Sequence, residues 1–242
     1  MNELISRIDT ERFGFKVAKI TSFDRHTAGI VEELKGDGVR MIIARVKTAD
    51  IQAVNGLEEM GFRVMDTQLT YRYDLDGYSA RPLNLSAVRI RSYENGDLEP
   101  IAAIAGKSFD NYGHYFADPW LDREKCREIY RDWAIRSCGD KTTADIVFVA
   151  QAGSIAGFAT YKIHEKDGIS YAACGLGAVD ESFRGRGIYG RIINGALEWG
   201  KQKGLKWMEY NCLACNFPAN ISYIKSGFLP VDSFITLHYW TD

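Results

Sequence analysis

The chain has no excess of charge of either sign. Thirty Lys and Arg stand against 32 Asp and Glu in 242 residues, a formal net charge of −2. The two signs are interspersed, so no basic face for nucleic acid is expected. No apolar run approaches the roughly 20 residues that cross a bilayer, and no membrane partner is expected. The opening Met1-Asn2-Glu3-Leu4-Ile5-Ser6-Arg7 lacks the apolar core of a secretion signal. The cysteines (Cys126, Cys138, Cys174, Cys212 and Cys215) are odd in number, which reads as reduced thiols in a cytoplasmic protein. Cys212-x-x-Cys215 has no second pair and no histidine nearby, so no metal is expected.

Apolar residues are plentiful. At 46% hydrophobic and 26% charged, the chain can bury a full core and is not a disordered segment. Its length suits one large domain or two small ones.

The second half alternates helices and strands. Strands are expected over 87–92, 146–150, 155–163 and 169–179, with turns at Gly153-Ser154 and Lys166-Asp167-Gly168. Leu98, Ile101, Ala102, Ile104 and Ala105 recur at helical period, and a second helix over 124–136 has Asp122 as its N-cap. A third helix buries Ile188, Ile192, Ile193, Ala196 and Leu197. A strand over 207–211 follows, then a short helix capped by Asn216 and stopped by Gly227, then a strand over 233–240. The fold class is α/β with a mixed, largely antiparallel sheet.

The densest chemistry lies just after Val179. Arg184-Gly185-Arg186-Gly187-Ile188-Tyr189-Gly190 is a Gly-rich turn that runs straight into a helix. Glycines let backbone N–H groups approach phosphate oxygens, the helix dipole adds attraction, and the arginines add charged donors. Gly185-x-Gly-x-x-Gly190 also matches a dinucleotide fingerprint, with Glu209 near the spacing of a ribose-binding acid. That fingerprint wants its first glycine directly after a buried strand. Here Asp180-Glu181-Ser182-Phe183 intervenes, and 52 residues after Gly190 are too few for the rest of a doubly wound domain.

The turn, the helix and strand after it, Asn216, Tyr223 and Gly227-Phe228 together resemble the GNAT superfamily of acetyl-CoA-dependent N-acetyltransferases, over roughly 87–242. The family pattern usually has Gly or Ala where Tyr189 stands. The resemblance implies a GNAT fold, with acetyl-CoA held by Leu176, Gly177, Ala178, Val179, Arg184, Gly185, Arg186, Gly187, Ile188, Tyr189, Gly190 and Asn216. In that superfamily the splayed strand also receives the pantetheine arm.

An internal echo marks the first half. Shifted by 166 residues, 41–73 lies over 207–239: Ala53 on Ala219, Gly61-Phe62 on Gly227-Phe228, Asp66 on Asp232, Thr70 on Thr236 and Tyr73 on Tyr239. The expected organisation is a partial GNAT-like half over 1–84 and a complete GNAT domain over 85–242, joined by a linker at 76–84. The first copy has no Arg-Gly-x-Gly turn, and Leu57 stands where Tyr223 stands, so its expected work is to extend the sheet and wall the cleft.

Amide formation needs a neutral amine, a stabilised oxyanion and a proton for the departing thiolate. Tyr223 lies two turns into its helix and is the candidate acid, since a phenol near pKa ~10 can protonate a thiolate. Backbone N–H groups of Leu176-Gly177-Ala178-Val179 are the candidate oxyanion donors. For the base, Asp66, His114 and water alone stay open. The segment 109–119, Phe-Asp-Asn-Tyr-Gly-His-Tyr-Phe-Ala-Asp-Pro, offers rings to stack on a sugar or base, or to tuck into the core. His114, Tyr115 and Asp118 are its candidate acceptor-binding residues.

This segment, Arg12-Phe13-Gly14-Phe15-Lys16 and the ending Tyr223-Ile224-Lys225-Ser226-Gly227 together resemble the TDP-fucosamine acetyltransferase family. That resemblance implies an acceptor that is a nucleotide-linked amino-deoxysugar for surface polysaccharide. It also implies Tyr223 as general acid and Asp66 as base. Other acceptors (a peptide, an antibiotic, a polyamine) stay open, as does a non-catalytic acyl-CoA-binding module. The expected assembly is a homodimer, which no residue pattern fixes.

Overall fold

A computed structural model describes residues 2–79 and 88–241. The linker from Ala80 onward and the first residue of the expected strand at Ala87 lie outside the described residues. The first half runs α1 (Arg7–Phe13), β1 (Val17–Ile20), α2 (Thr27–Gly36), β2 (Met41–Lys47), α3 (Ile51–Glu59) and β3 (Arg63–Asp74). The second runs β4 (Arg89–Ser92), α4 (Leu98–Ser108), α5 (Gly113–Ala117), α6 (Arg123–Gly139), β5 (Ile146–Ala152), β6 (Ser154–Lys166) and β7 (Ile169–Val179). It ends with α7 (Ile188–Gln202), β8 (Trp207–Leu213), α8 (Phe217–Lys225) and β9 (Leu229–Trp240).

Local chemistry accounts for most boundaries. Asp122 accepts from Lys125 N and opens α6. Asp50 and Asn216 cap α3 and α8, each accepting from the N–H three residues on. The five stripe residues expected for α7 are all buried. β9 begins four residues earlier than expected, because Leu229 and Pro230 pair with Arg72 and Tyr71 despite their exposure. The short α5, inside the aromatic segment, is also new: Tyr115 and Phe116 drive into the core.

All strands join one nine-stranded sheet in the order β1-β2-β9-β3-β8-β7-β6-β5-β4. Among the described residues, only β1–β2 and β7–β8 run parallel. So few parallel pairs rule out a doubly wound dinucleotide domain. One face carries α1, α4, α5 and α6 over Met41, Ile43 and Val149. The other carries α2 and α3 at one end, α7 and α8 at the other.

The two halves are interleaved. β9 lies between β2 and β3, and β3 lies between β9 and β8. The 166-residue echo is exact in the hydrogen-bond register: Met41 faces Trp240, and Asp74 faces Trp207. The β3–β9 ladder maps onto itself about Gln68–Phe234, including both bulges, one between Val64 and Asp66 and one opposite Thr70 and Tyr71. Gly61 and Gly227 take φ of 95° and 92° at matching turns. The following phenylalanines repeat too: Phe62 packs on Tyr239 at 5.0 Å and Phe228 on Tyr73 at 5.4 Å.

A chain truncated to residues 85–242 removes β2 and β3 and leaves β9 with no neighbour on either side. Exposed ladders of this kind invite aggregation. The truncated protein should be insoluble or lack cooperative unfolding by circular dichroism, whereas the whole chain melts in one transition.

Candidate active site

β7 and β8 are the origin of the cleft. They pair in parallel only from Ala172–Met208 to Cys174–Tyr210, then part. A register shift against β6 at the same point leaves Gly175 unpaired, between the pairs Tyr161–Cys174 and Thr160–Leu176. A side chain there would press on Thr160 Oγ1 at 3.0 Å and Trp133 at 3.3 Å, so it would fit only if these neighbours gave way. Leu176 N donates to the Thr160 hydroxyl at 3.0 Å, which removes it from the free oxyanion donors.

A cavity of about 950 Å³ fills the gap. Its wall includes Leu176, Gly177, Val179, Arg184, Gly185, Gly187, Ile188, Tyr189, Gly190, Asn216 and Tyr223, with His114 and Tyr115 farther along. Most of the residues singled out from sequence therefore share one wall. Four do not. Ala178 is buried in the core, and Arg186 stacks its guanidinium on Phe183 at 5.5 Å. Asp118 is fully buried and its carboxylate is consumed, accepting from Trp120 N, His238 Nδ1 and Trp240 Nε1 at 2.7–2.9 Å. Asp66 lies on a smaller cavity of about 450 Å³ that shares Gly113 and Leu213 with the main one. Asp66 does not line the cavity that holds Tyr223, and both its carboxylate oxygens are buried without a partner.

The phosphate turn is preorganised. Gly185 and Gly187 take φ of 74° and 71°, left-handed conformations that a side chain would strain. Gly187 is also the N-cap of α7, and no side chain bonds there. The first N–H groups of a 15-residue helix are thus left for an anion. Arg184 is exposed, with Nε tethered to Val179 O at 3.3 Å.

Tyr223 is buried against Tyr210 at 4.7 Å and Tyr71 at 5.4 Å. Burial, then the Cys174 and Cys212 thiols, hold its pKa well above the ordinary phenol value. It is therefore a neutral O–H donor throughout the physiological range. Tyr189 explains its own departure from the usual small residue. Its hydroxyl lies 3.3 Å from that of Tyr223 and 2.7 Å from where a Cβ on Gly177 would sit. The pair closes one end of the cavity with two neutral phenols.

The other end is cationic. Lys19, Arg45 and Gln68, all from the first half, line it together with Tyr112, His114 and Tyr115. Lys19 pairs with Asp9 at 2.6 Å, and Tyr115 donates to the same carboxylate at 2.8 Å. Arg45 is exposed on the wall and has no ion-pair partner among the described residues. Sequence reasoning missed Arg45, Lys19 and His238. The available signal was alternation: Arg45 follows Met41 and Ile43 on one face of its strand, where a buried face would continue with another apolar residue.

This is a splayed-strand N-acyltransferase cleft, and the comparisons agree. The profile of the Acetyltransferase (GNAT) family matches residues 104–228. The chain belongs to that family, whose fold is that of acetyl-CoA-dependent N-acetyltransferases. Among curated proteins it resembles the spore coat polysaccharide biosynthesis protein SpsD of Bacillus subtilis, 25% identical over 147 residues. That match covers 61% of this chain and 49% of the relative, so it spans about half the relative's length. A GCN5-related N-acetyltransferase from Sphaerobacter thermophilus superposes with TM-score 0.66 at 15% identity, over 93% of this chain and 73% of that one. A tandem GNAT protein from the clavulanic acid biosynthesis pathway gives 0.66 at 14%, over 93% and 75%. Among the described residues, no helix is long and apolar enough to cross a membrane. No cluster of three or more His, Cys, Asp or Glu is placed there to hold a metal.

Gly177→Ala should cost about 1–3 kcal/mol by overpacking against the Tyr189 hydroxyl. Gly177→Ala with Tyr189→Phe should recover part of that loss, since the clashing oxygen is gone. Urea unfolding of the two single variants and the double variant measures the coupling.

Proposed function

We propose that this protein transfers an acetyl group from acetyl-CoA to the amine of an anionic small-molecule acceptor, best matched by an amino-sugar nucleotide. The observation that carries the reading is convergence. The splay at Cys174, the left-handed Gly185 and Gly187 turn, and the buried Tyr223 hydroxyl all face one cavity. Acetyl-CoA would supply an activated acyl group as a thioester. The residues present fit it: an unbonded helix N-terminus and Arg184 suit its pyrophosphate, and β7 beyond Cys174 offers a free edge for a pantetheine arm.

Tyr223 would hold its proton until a thiolate develops beside it. A pKa raised by burial favours this role, because the acid never ionises before it is needed. Tyr189, bonded to it, limits the phenol's rotation.

The acceptor class rests on charge. Arg45 and Lys19 line the end of the cavity away from Tyr223, so a polyamine or Lys-rich acceptor would meet like charge, whereas a diphosphate would be attracted. SpsD, a protein named for polysaccharide biosynthesis, is consistent with a sugar acceptor.

Gly187→Val should weaken acetyl-CoA at least tenfold, about 1.4 kcal/mol, by calorimetry; unchanged affinity would remove the turn from the reading. Tyr223→Phe should keep acetyl-CoA affinity and lower kcat by roughly 10²–10⁴-fold, the usual worth of general acid catalysis. A panel of amines assayed by CoA release should rank amino-sugar nucleotides above polyamines, and Arg45→Ala should narrow that gap by raising KM for the anionic acceptors alone.

A further inference from the structure

The mechanism above leaves one buried set of titratable groups unused. His114 Nδ1 lies 2.8 Å from His238 Nε2, and His238 Nδ1 lies 2.7 Å from Asp118 Oδ2. His238 is 1% exposed and Asp118 fully buried, whereas His114 stands on the cavity wall. The three join α5, its C-terminal cap and β9 in a line that ends at the acceptor end of the cleft.

The bonding fixes the tautomers. Asp118 can only accept, and burial, which pushes its carboxyl up, is outweighed by the bonds from His238, Trp120 and Trp240, so it stays ionised. A neutral His238 then carries its proton on Nδ1 and presents a lone pair at Nε2. His114 must donate to that lone pair from Nδ1. Its Nε2 is left as a bare lone pair. No described residue is recorded bonding that atom, and His114 itself lines the cavity wall.

Resting on the acetyl-transfer reading, we propose that His114, His238 and Asp118 form a proton relay that deprotonates the acceptor's ammonium. An N–H bond of the ammonium breaks and an Nε2–H bond forms on His114. The Nδ1–H proton of His114 crosses to His238 Nε2. The acceptor is left as a neutral amine, and the positive charge rests on His238 against the Asp118 carboxylate. The proton returns to solvent by the reverse path after product leaves. Burial, then His238, Arg45 and Lys19, disfavour charge on the His114 ring itself, which is why the relay's second member matters. The groups facing the relay are Lys19 on β1, Arg45 on β2, Arg63 on β3, Asp9 on α1 and Tyr115 on α5. His114 is thus a catalytic residue, and His238 and Asp118 act through it.

The chain has only four histidines, so ¹⁵N-labelled histidine resolves them by NMR. In the wild-type protein near neutral pH, His114 should be neutral with its proton on Nδ1; a proton on Nε2 overturns the relay. His238→Gln keeps a hydrogen-bonding bridge but cannot hold the proton. It should preserve acetyl-CoA affinity and lower kcat/KM for the acceptor by roughly 10²–10⁴-fold. Its residual rate should climb about tenfold per pH unit below the acceptor's own pKa, since only the neutral amine then reacts, while the wild type stays flatter. Wild-type kcat/KM and profile in His238→Gln would overturn the proposal. Should that variant not fold, the wild-type tautomer decides alone. A wild-type protein that binds no acetyl-CoA by calorimetry overturns the acetyl-transfer reading and the relay with it, before any variant is compared.

Discussion

The antiparallel ladder between β3 and β9 holds the molecule together and also builds its cleft. Each strand follows a Gly-Phe turn in its own half, and each is hydrogen-bonded on both sides to strands that include the other half. Neither half can bury its strand edges without the other. Because β3 is inserted between β9 and β8, the first half's Lys19, Arg45 and Gln68 are carried round to face residues of β7, α7 and α8. The cleft's two ends thus come from different ends of the chain, and the same hydrogen bonds that stabilise the sheet set the distance between them.

The second constraint is space around Gly177. One position has to be small because Tyr189 is large, and Tyr189 is large where a small residue is usual in the family. The exchange keeps the volume filled while placing a second hydroxyl on Tyr223. Closely packed interiors allow such trades when volume is conserved and penalise them when it is not. A change at either partner is therefore felt at the phenol that faces the cleft.

What could be read from the sequence follows from how local each feature is. The α7 stripe, the Asp122 and Asn216 caps, the Gly153 turn and the whole span of β7 depend on neighbours within a few residues, and the structure repeats them. The 166-residue echo was visible because a strand, a capped helix and a Gly-Phe turn each leave a local mark. Its consequence was not visible: side-by-side halves and interleaved halves have the same sequence pattern, and only long-range pairing separates them. Asp66 shows the same limit. Its match to Asp232 in the echo is real, yet Asp66 lines a second, smaller cavity. His238 was hidden for a related reason. A histidine in a strand looks like any half-buried polar residue until Asp118, 120 residues away, is placed against it.

The cavity's electrostatics divide along the same seam. Around Tyr223 burial keeps the thiols and phenols neutral. The Cys174 thiol is pushed up to about 12, the Cys212 thiol to about 11, and the Tyr189, Tyr210 and Tyr223 phenols lie well above their ordinary value. Such a site has no fixed anion with which to hold an ammonium. At the other end stand two cations, which repel an ammonium, and a neutral imidazole able to accept its proton. An amine that enters as an ammonium therefore has to lose its extra proton within the cleft, and the proton needs somewhere to go. Among the carboxylates near the acceptor end, Asp9 is already paired with Lys19, and Asp66 lines the smaller cavity. Asp118 is the one joined to the cavity wall by an unbroken line of titratable nitrogens, which makes charge removal, rather than charge binding, the task for which this end of the cleft is built.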